Sequence, residues 1–326
     1  MSWMKEVRKR DQLLDWTEQG LLTPAQTQRA LAPDHPWPAA PHWHQALDQL
    51  LAYAGSLLLV LGVIFFFAFN WDDLHRLHKL LLALAVLSGF AGAALYLPRD
   101  SALYRACLFG AALATGGTLA LVGQIYQTGA DIWQLFAIWA VLILPWALLS
   151  RSAACWGLFW VVGNLALLRY FAVHHGLPGM NSSGVRMLLG LALGNLLLLL
   201  VFELLGSRLL RHAGRSLPRL ALFAMLAAVS LGACIGWWYA PYRGFLVALG
   251  LVYMTVLPCY LQLRRDLLIL ALLAYALVGV ASFGLARWLI GNLDDFVLLN
   301  LLGLFVLGAS ALATLWLHQV HRGQQT

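Results

Sequence analysis

The chain has 326 residues, 61% of them hydrophobic and only 11% charged, with a formal net charge of +7. A soluble domain carries roughly 25% charged residues, so this composition excludes an ordinary soluble enzyme and points to an integral membrane protein. The positive charge does not mark a nucleic-acid binder, because the Lys and Arg residues sit at the ends of apolar stretches rather than in one cluster.

Residues 1–34 read as a small helical hairpin. Lys5 to Gln19 is charged, with Val7, Leu13, Leu14 and Trp16 as its apolar positions. Gly20 suits a helix C-terminus, where a positive φ is tolerated. Thr23-Pro24-Ala25-Gln26 restarts a helix, with Thr23 as N-cap, Pro24 in the first helical position and Gln26 closing a capping box. The charged start has no apolar h-region, so no cleavable signal peptide is expected and the first span serves as the insertion signal. Residues 35–46 are proline-rich and read as a stiff linker, with Trp37 and Trp43 at headgroup depth.

Ten apolar stretches follow within residues 47–317: Leu47–Phe69, Leu80–Leu97, Ala106–Gln127, Ile132–Leu149, Ala153–Val173, Val185–Leu205, Leu217–Trp238, Phe245–Leu263, Leu267–Leu285 and Phe296–Leu317. About 20 apolar residues cross the hydrocarbon core as a helix. The expected fold is therefore an all-α, polytopic transmembrane helix bundle of about ten spans, preceded by the hairpin and followed by a short tail, residues 318–326. With the N-terminus placed in the cytoplasm, fifteen of the 21 Lys and Arg residues fall inside and six outside. This bias predicts that both termini are cytoplasmic.

The outer ends of the spans hold the most polar residues. Asn70, Trp71 and Asp72 follow the first span, and Gln124, Tyr126, Gln127, Asp131 and Trp133 surround the break between the third and fourth. Gln124 and Gln127 are one helical turn apart, so they share a helix face. Two readings stand for this group. It forms a vestibule for a small polar solute or a cation, or it consists of interfacial anchors, with Asp131 and Asp295 as helix caps and the amides in interhelical hydrogen bonds.

Inside the bundle, Glu203 is the one carboxylate well within a span. It relays protons, or it snorkels to the interface and pairs with Arg208 or another neighbour. Asn164, Asn195 and Asn300 are mid-span amides of the kind that bind helices together. Gly110, Gly116, Gly117 and Gly123 give the third span a small-residue character that suits close helix approach, a passage or a bend. Pro145 and Pro258 are places where the fourth and eighth spans can kink. Cys107, Cys155, Cys234 and Cys259 form no CxxC pair and read as apolar packing residues. The histidine pairs lack Cys or carboxylate companions at metal-ligand spacing. No nucleophile motif, phosphate loop or dinucleotide fingerprint is present. No metal, cofactor or catalytic residue is expected.

The run Gly123-Gln-Ile-Tyr-Gln-Thr-Gly-Ala-Asp-Ile-Trp-Gln-Leu-Phe136, then Trp139 and Leu144-Pro145, resembles bacterial proteins of the domain of unknown function 2157 family. So do Phe69-Asn70-Trp71-Asp72 with Lys79 downstream, and the hairpin around Gly20-Leu21-Leu22-Thr23. The resemblance covers about residues 10–150. It implies a multi-pass protein of the bacterial cytoplasmic (inner) membrane and brings no activity with it. Two functions follow as expectations. One is a solute or ion permease using the outer vestibule. The other is a scaffold or regulator of an envelope process that docks a cytoplasmic protein partner through the hairpin, with the lipid bilayer as the partner of the bundle in either case.

Overall fold

The computed structural model describes residues 16–17, 22–23, 26–27, 40–70, 74–127, 129–175, 182–211, 214–264 and 266–323. Compact packing divides the chain into two units, Met1–Leu51 and Ala52–Thr326, with the division inside the first long helix.

In the first unit the capping box forms. Gln26 Oε1 accepts from the Thr23 backbone N–H at 3.0 Å, and Thr23 Oγ1 accepts from the Gln26 N–H at 3.4 Å. The Thr17 and Thr27 hydroxyls are 2.6 Å apart, and the Leu22 N–H donates to the Trp16 carbonyl. The rest of the expected hairpin, and most of the expected linker, lie outside the described residues.

Ten long helices follow: α1 (Ala40–Phe69), α2 (Arg76–Tyr96), α3 (Ala102–Tyr126), α4 (Ile132–Ser150), α5 (Ala153–His175), α6 (Ser182–Leu209), α7 (Ser216–Gly236), α8 (Gly244–Pro258), α9 (Leu267–Leu289) and α10 (Asp295–Gly323). Each contains or, for α8, extends into a segment long and apolar enough to cross a membrane. The ten expected spans are thus the ten helices, and no β-strand occurs among the described residues. Helix α1 begins at Ala40, within the proline-rich segment; Pro41 falls in its first turn, where a missing N–H costs nothing.

The sequence sets the helix ends locally. Ser101 Oγ caps α3 by accepting from the Tyr104 N–H at 3.0 Å, and the Asp266 carboxylate caps α9 by accepting from the Leu268 N–H at 3.2 Å. Pro258 ends α8, and the chain continues as a single π-helical turn, Cys259–Leu263, before the break to α9. Pro145 is carried inside α4 without ending it.

Helix α7 is the axis of the core, packing on α5, α6, α8 and α9. Ala221, Leu222, Met225 and Ala233 on it are fully buried. A second packed layer runs α2–α3–α4–α5. Aromatic rings seated on glycines hold neighbouring helices together. Phe90 of α2 covers Gly110, Trp139 of α4 covers Gly116, Phe171 of α5 covers Gly190 and Phe245 of α8 covers Gly232. Without a hydrophobic drive between helices in lipid, such close contacts are what hold a bundle together. The outward faces stay apolar and exposed, as on Leu58, Phe65, Leu204, Val247, Leu304 and Leu312, which is what a surface solvated by lipid requires.

Asp100, Arg151, Arg211, Arg215 and Asp266, from the connections between helices, lie at one end of the bundle. Arg211 pairs with Asp100, and its N–H donates to the Arg151 carbonyl at 3.0 Å. Arg215 and Arg219 both pair with Asp266. This is the basic end, the one expected to be cytoplasmic.

Candidate functional site

Small residues on α3 leave a crevice beside α1. Gly117, Ala120 and Leu121 face Ile64, Phe67 and Ala68 of α1 across a crevice of ≈ 400 Å³, with Gln124 at its edge. A smaller cavity of ≈ 30 Å³ continues it past Val60, Val63, Ala114 and Thr118 to Ala83 and Val86 of α2. The Gln124 amide is exposed and makes no hydrogen bond to a described residue. Thr118 is no competing polar group, since its hydroxyl donates to the Ala114 carbonyl at 2.8 Å. The crevice is thus an apolar slot with one free amide at the end away from the basic loops.

The other vestibule residues are only partly gathered there. Asn70 ends α1 and turns its amide back to the Phe66 carbonyl at 2.9 Å. Trp71 and Asp72 lie outside the described residues. Gln127 does not share a face with Gln124. It is the residue at which α3 stops, in the left-handed conformation with φ 43°. The third-residue spacing places two side chains together only while the helix continues. Tyr126 is exposed and lines neither cavity. Asp131 precedes α4 in an extended conformation, yet its carboxylate makes no capping hydrogen bond. Trp133 is drawn away to α5, where it packs edge-on against Tyr170 at 5.1 Å and His174 at 5.7 Å, with its indole N–H buried and without an acceptor among the described residues.

The intramembrane amides are spent on structure. Asn195 Nδ2 donates to Asn164 Oδ1 at 2.7 Å, and Trp160 Nε1 donates to Asn195 Oδ1 at 2.8 Å. Asn300 bonds only its own helix, to the Phe296 carbonyl.

Glu203 is paired, but with Arg264 rather than Arg208. Arg264 Nε lies 3.3 Å from Glu203 Oε2, and the Tyr260 hydroxyl donates to Glu203 Oε1 at 2.5 Å. The π-helical turn after Pro258 carries Tyr260, and Arg264 follows it immediately, so this junction holds α6 to the end of α8. Neither partner is close to Glu203 in sequence, and a break in one span gives no hint of the helix it faces. The four cysteines are free thiols. Among the described residues, no three His, Cys, Asp or Glu side chains gather in a way that could hold a metal ion.

Ten helices long and apolar enough to span a membrane, with exposed apolar outward faces, define a multi-pass membrane protein. Residues 14–156 match the model of the DUF2157 family, described as predicted membrane protein, in agreement with the resemblance carried by the Gln-Ile-Tyr-Gln run. The match covers the first unit's later part and helices α1–α4, and so contains the whole crevice. No curated protein and no solved structure matches the chain.

Proposed function

We propose that this protein is a non-catalytic, permease-type binder of a small amphiphilic solute, taken into the crevice between α1 and α3. The observation that carries this reading is the make-up of that crevice: an apolar slot of ≈ 400 Å³ edged by one free amide, Gln124. A bare cation gains little there, because an ion needs oxygen ligands or carboxylates to replace its water. A molecule with a short apolar body and a polar end gains burial along Phe67 and Leu121 and a hydrogen bond at Gln124. The arginine bias supports residence in a bacterial cytoplasmic membrane with both termini inside, so that the amide faces outward.

The test is thermal stabilisation of the purified full-length protein against amphiphiles, amino acids, sugars and ions, since a ligand of the folded state raises its stability. The reading expects a stabilising amphiphile whose effect Gln124→Ala weakens and Gly117→Leu abolishes by filling the slot. A ligand whose effect survives both changes does not occupy the crevice, and the reading fails.

A second reading is favoured by the compact division at Leu51. In it, the N-terminal hairpin, residues 1–34, docks a cytoplasmic protein and the bundle anchors it. Loss of the cellular phenotype on deleting residues 1–34, with Gln124→Ala and Gly117→Leu silent, selects that reading.

A further inference from the structure

Asn70, Asn164, Asn195, Asn292 and Asn300 each turn an amide N–H back to the carbonyl four residues earlier. What completes the amide differs among them. Asn164 and Asn195 complete each other across α5 and α6, with Nδ2 to Oδ1 distances of 2.7 and 3.4 Å. Asn70 and Asn292 follow the ends of α1 and α9, where unpaired groups of a helix end are met by water. Asn300 lies inside α10. Its Nδ2 donates to the Phe296 carbonyl at 2.7 Å, and its Oδ1 and second amide hydrogen have no partner among the described residues.

The half-open amide is set in an apolar surface. Helix α10 packs on α9, and Leu298, Leu302, Phe305 and Ala309 are half-buried at the helical spacing, which marks the side turned to that neighbour. Asn300, Leu307 and Ala311 share the opposite side and are exposed. Phe296 and Leu299 before the amide and Leu301 after it are exposed as well. Lipid tails satisfy such a face everywhere except at Asn300, whose open groups need a hydrogen-bonding partner. One turn further on, a Cβ on Gly303 would meet nothing within 4 Å, so a second backbone has room to approach.

We propose that the protein pairs with a second copy of itself through this side of α10, each Asn300 bonding the second copy's Asn300. The Asn164–Asn195 pair shows the arrangement in the same molecule: each amide bonds its own helix and then its counterpart. Asn300 already makes the first of these bonds and has one donor and one acceptor left, which is what a reciprocal amide pair uses. A second copy is the occupant because all copies insert in the membrane the same way. A two-fold axis along the membrane normal therefore sets Asn300 level with its own counterpart, wherever in the bilayer that level falls. The surface is separate from the α1–α3 crevice and does not depend on what that crevice binds.

Two measurements on the full-length protein test this. In native membranes, Leu307→Cys and Leu312→Cys are each oxidised with copper phenanthroline beside the parent, which carries the native cysteines alone. Leu307 and Leu312 are equally exposed, at 71% and 68%, but Leu312 lies about a third of a turn or more away from the Asn300 side. Leu307→Cys is expected to give a disulfide-linked dimer, and Leu312→Cys and the parent little or none. In neutral detergent, native mass spectrometry over a dilution series is expected to show a monomer–dimer equilibrium. Asn300→Leu, an exposed change that keeps an apolar face, is expected to raise its dissociation constant by about tenfold, the worth of one or two interhelical hydrogen bonds. Equal linking at Leu307→Cys and Leu312→Cys overturns the proposal, because it indicates chance collisions. Linking of Leu307→Cys to a different protein, or no linking at all, leaves that side to another partner or to lipid and overturns it too. An Asn300→Leu protein that dimerises like the parent overturns the role given to the amide.

Discussion

Asn164 on α5 and Asn195 on α6 face each other across the bundle. Asn195 Nδ2 donates to Asn164 Oδ1 at 2.7 Å, and Asn164 Nδ2 reaches Asn195 Oδ1 at 3.4 Å. Each amide also bonds its own helix, Asn164 to the Trp160 carbonyl and Asn195 to the Leu191 carbonyl. With Trp160 Nε1 as a further donor to Asn195 Oδ1, both carbonyl oxygens and both amide nitrogens are engaged. A cluster closed on itself holds two helices in register and has no free group to offer a passing solute.

Asn195→Ala therefore strands both the Asn164 carbonyl and the Trp160 N–H. The expected loss is about 1–2 kcal/mol of stability, within the range of interhelical hydrogen bonds. Asn164→Ala leaves Trp160 its acceptor and should cost less. The double variant should cost less than the sum, because the shared bond is lost only once. Thermal or denaturant unfolding in detergent measures all three, and strict additivity would show that the amides act independently.

The glycines of α3 separate into packing and open positions, and substitution reads the difference. A Cβ on Gly116 would lie 2.2 Å from the Trp139 ring, which the hydrogen bond from Nε1 to the Ala112 carbonyl holds at 2.9 Å. A Cβ on Gly117 would meet only Ile64, at 3.9 Å, and one on Gly123 would meet nothing within 4 Å. Gly116→Ala is thus expected to destabilise by about 1–3 kcal/mol through overpacking. Gly117→Ala and Gly123→Ala should be neutral or stabilising by up to about 1 kcal/mol, since alanine is the better helix former. Equal melting temperatures for the three variants would contradict the seating of Trp139 on Gly116.

Those same glycines show what was legible beforehand. The spans were, because length and hydropathy are properties of one helix at a time, and each expected stretch became a helix. The third span's small residues were visible as a set. Which of them takes a ring from α2 or α4, and which opens toward α1, is a matter of neighbours, and no spacing within one span encodes its neighbours. Gln127 failed for a local reason: the helix ends there in a left-handed residue, so the face it was expected to share with Gln124 does not extend that far. Glu203 pairs with Arg264 and Tyr260, which lie 61 and 57 positions away in sequence and are brought close by the π-helical break after Pro258.

Asp266 makes the basic end sensitive to acid. Its side chain is 1% exposed, with Arg219 Nε at 2.9 Å and Arg215 Nη1 at 3.3 Å. Burial alone would raise its pKa. The hydrogen bond and charge of Arg219, the charge of Arg215 and the Leu268 N–H together outweigh it and hold the carboxyl below its ordinary value. A depressed carboxyl contributes stability that is fully present above the unfolded-state pKa of about 4 and is lost as pH falls through the folded-state value. The melting temperature is therefore expected to hold from neutral pH down to about 4 and to fall below that. Asp266→Asn should remove this group's part of the acid dependence. At neutral pH it should cost about 3 kcal/mol or more, because two arginines lose a buried counter-charge and α9 loses part of its cap. Melting curves of both proteins across this pH range provide the check. An Asp266→Asn protein as stable as the parent at pH 7 would mean that Arg215 and Arg219 find water or lipid phosphate as readily as they find Asp266.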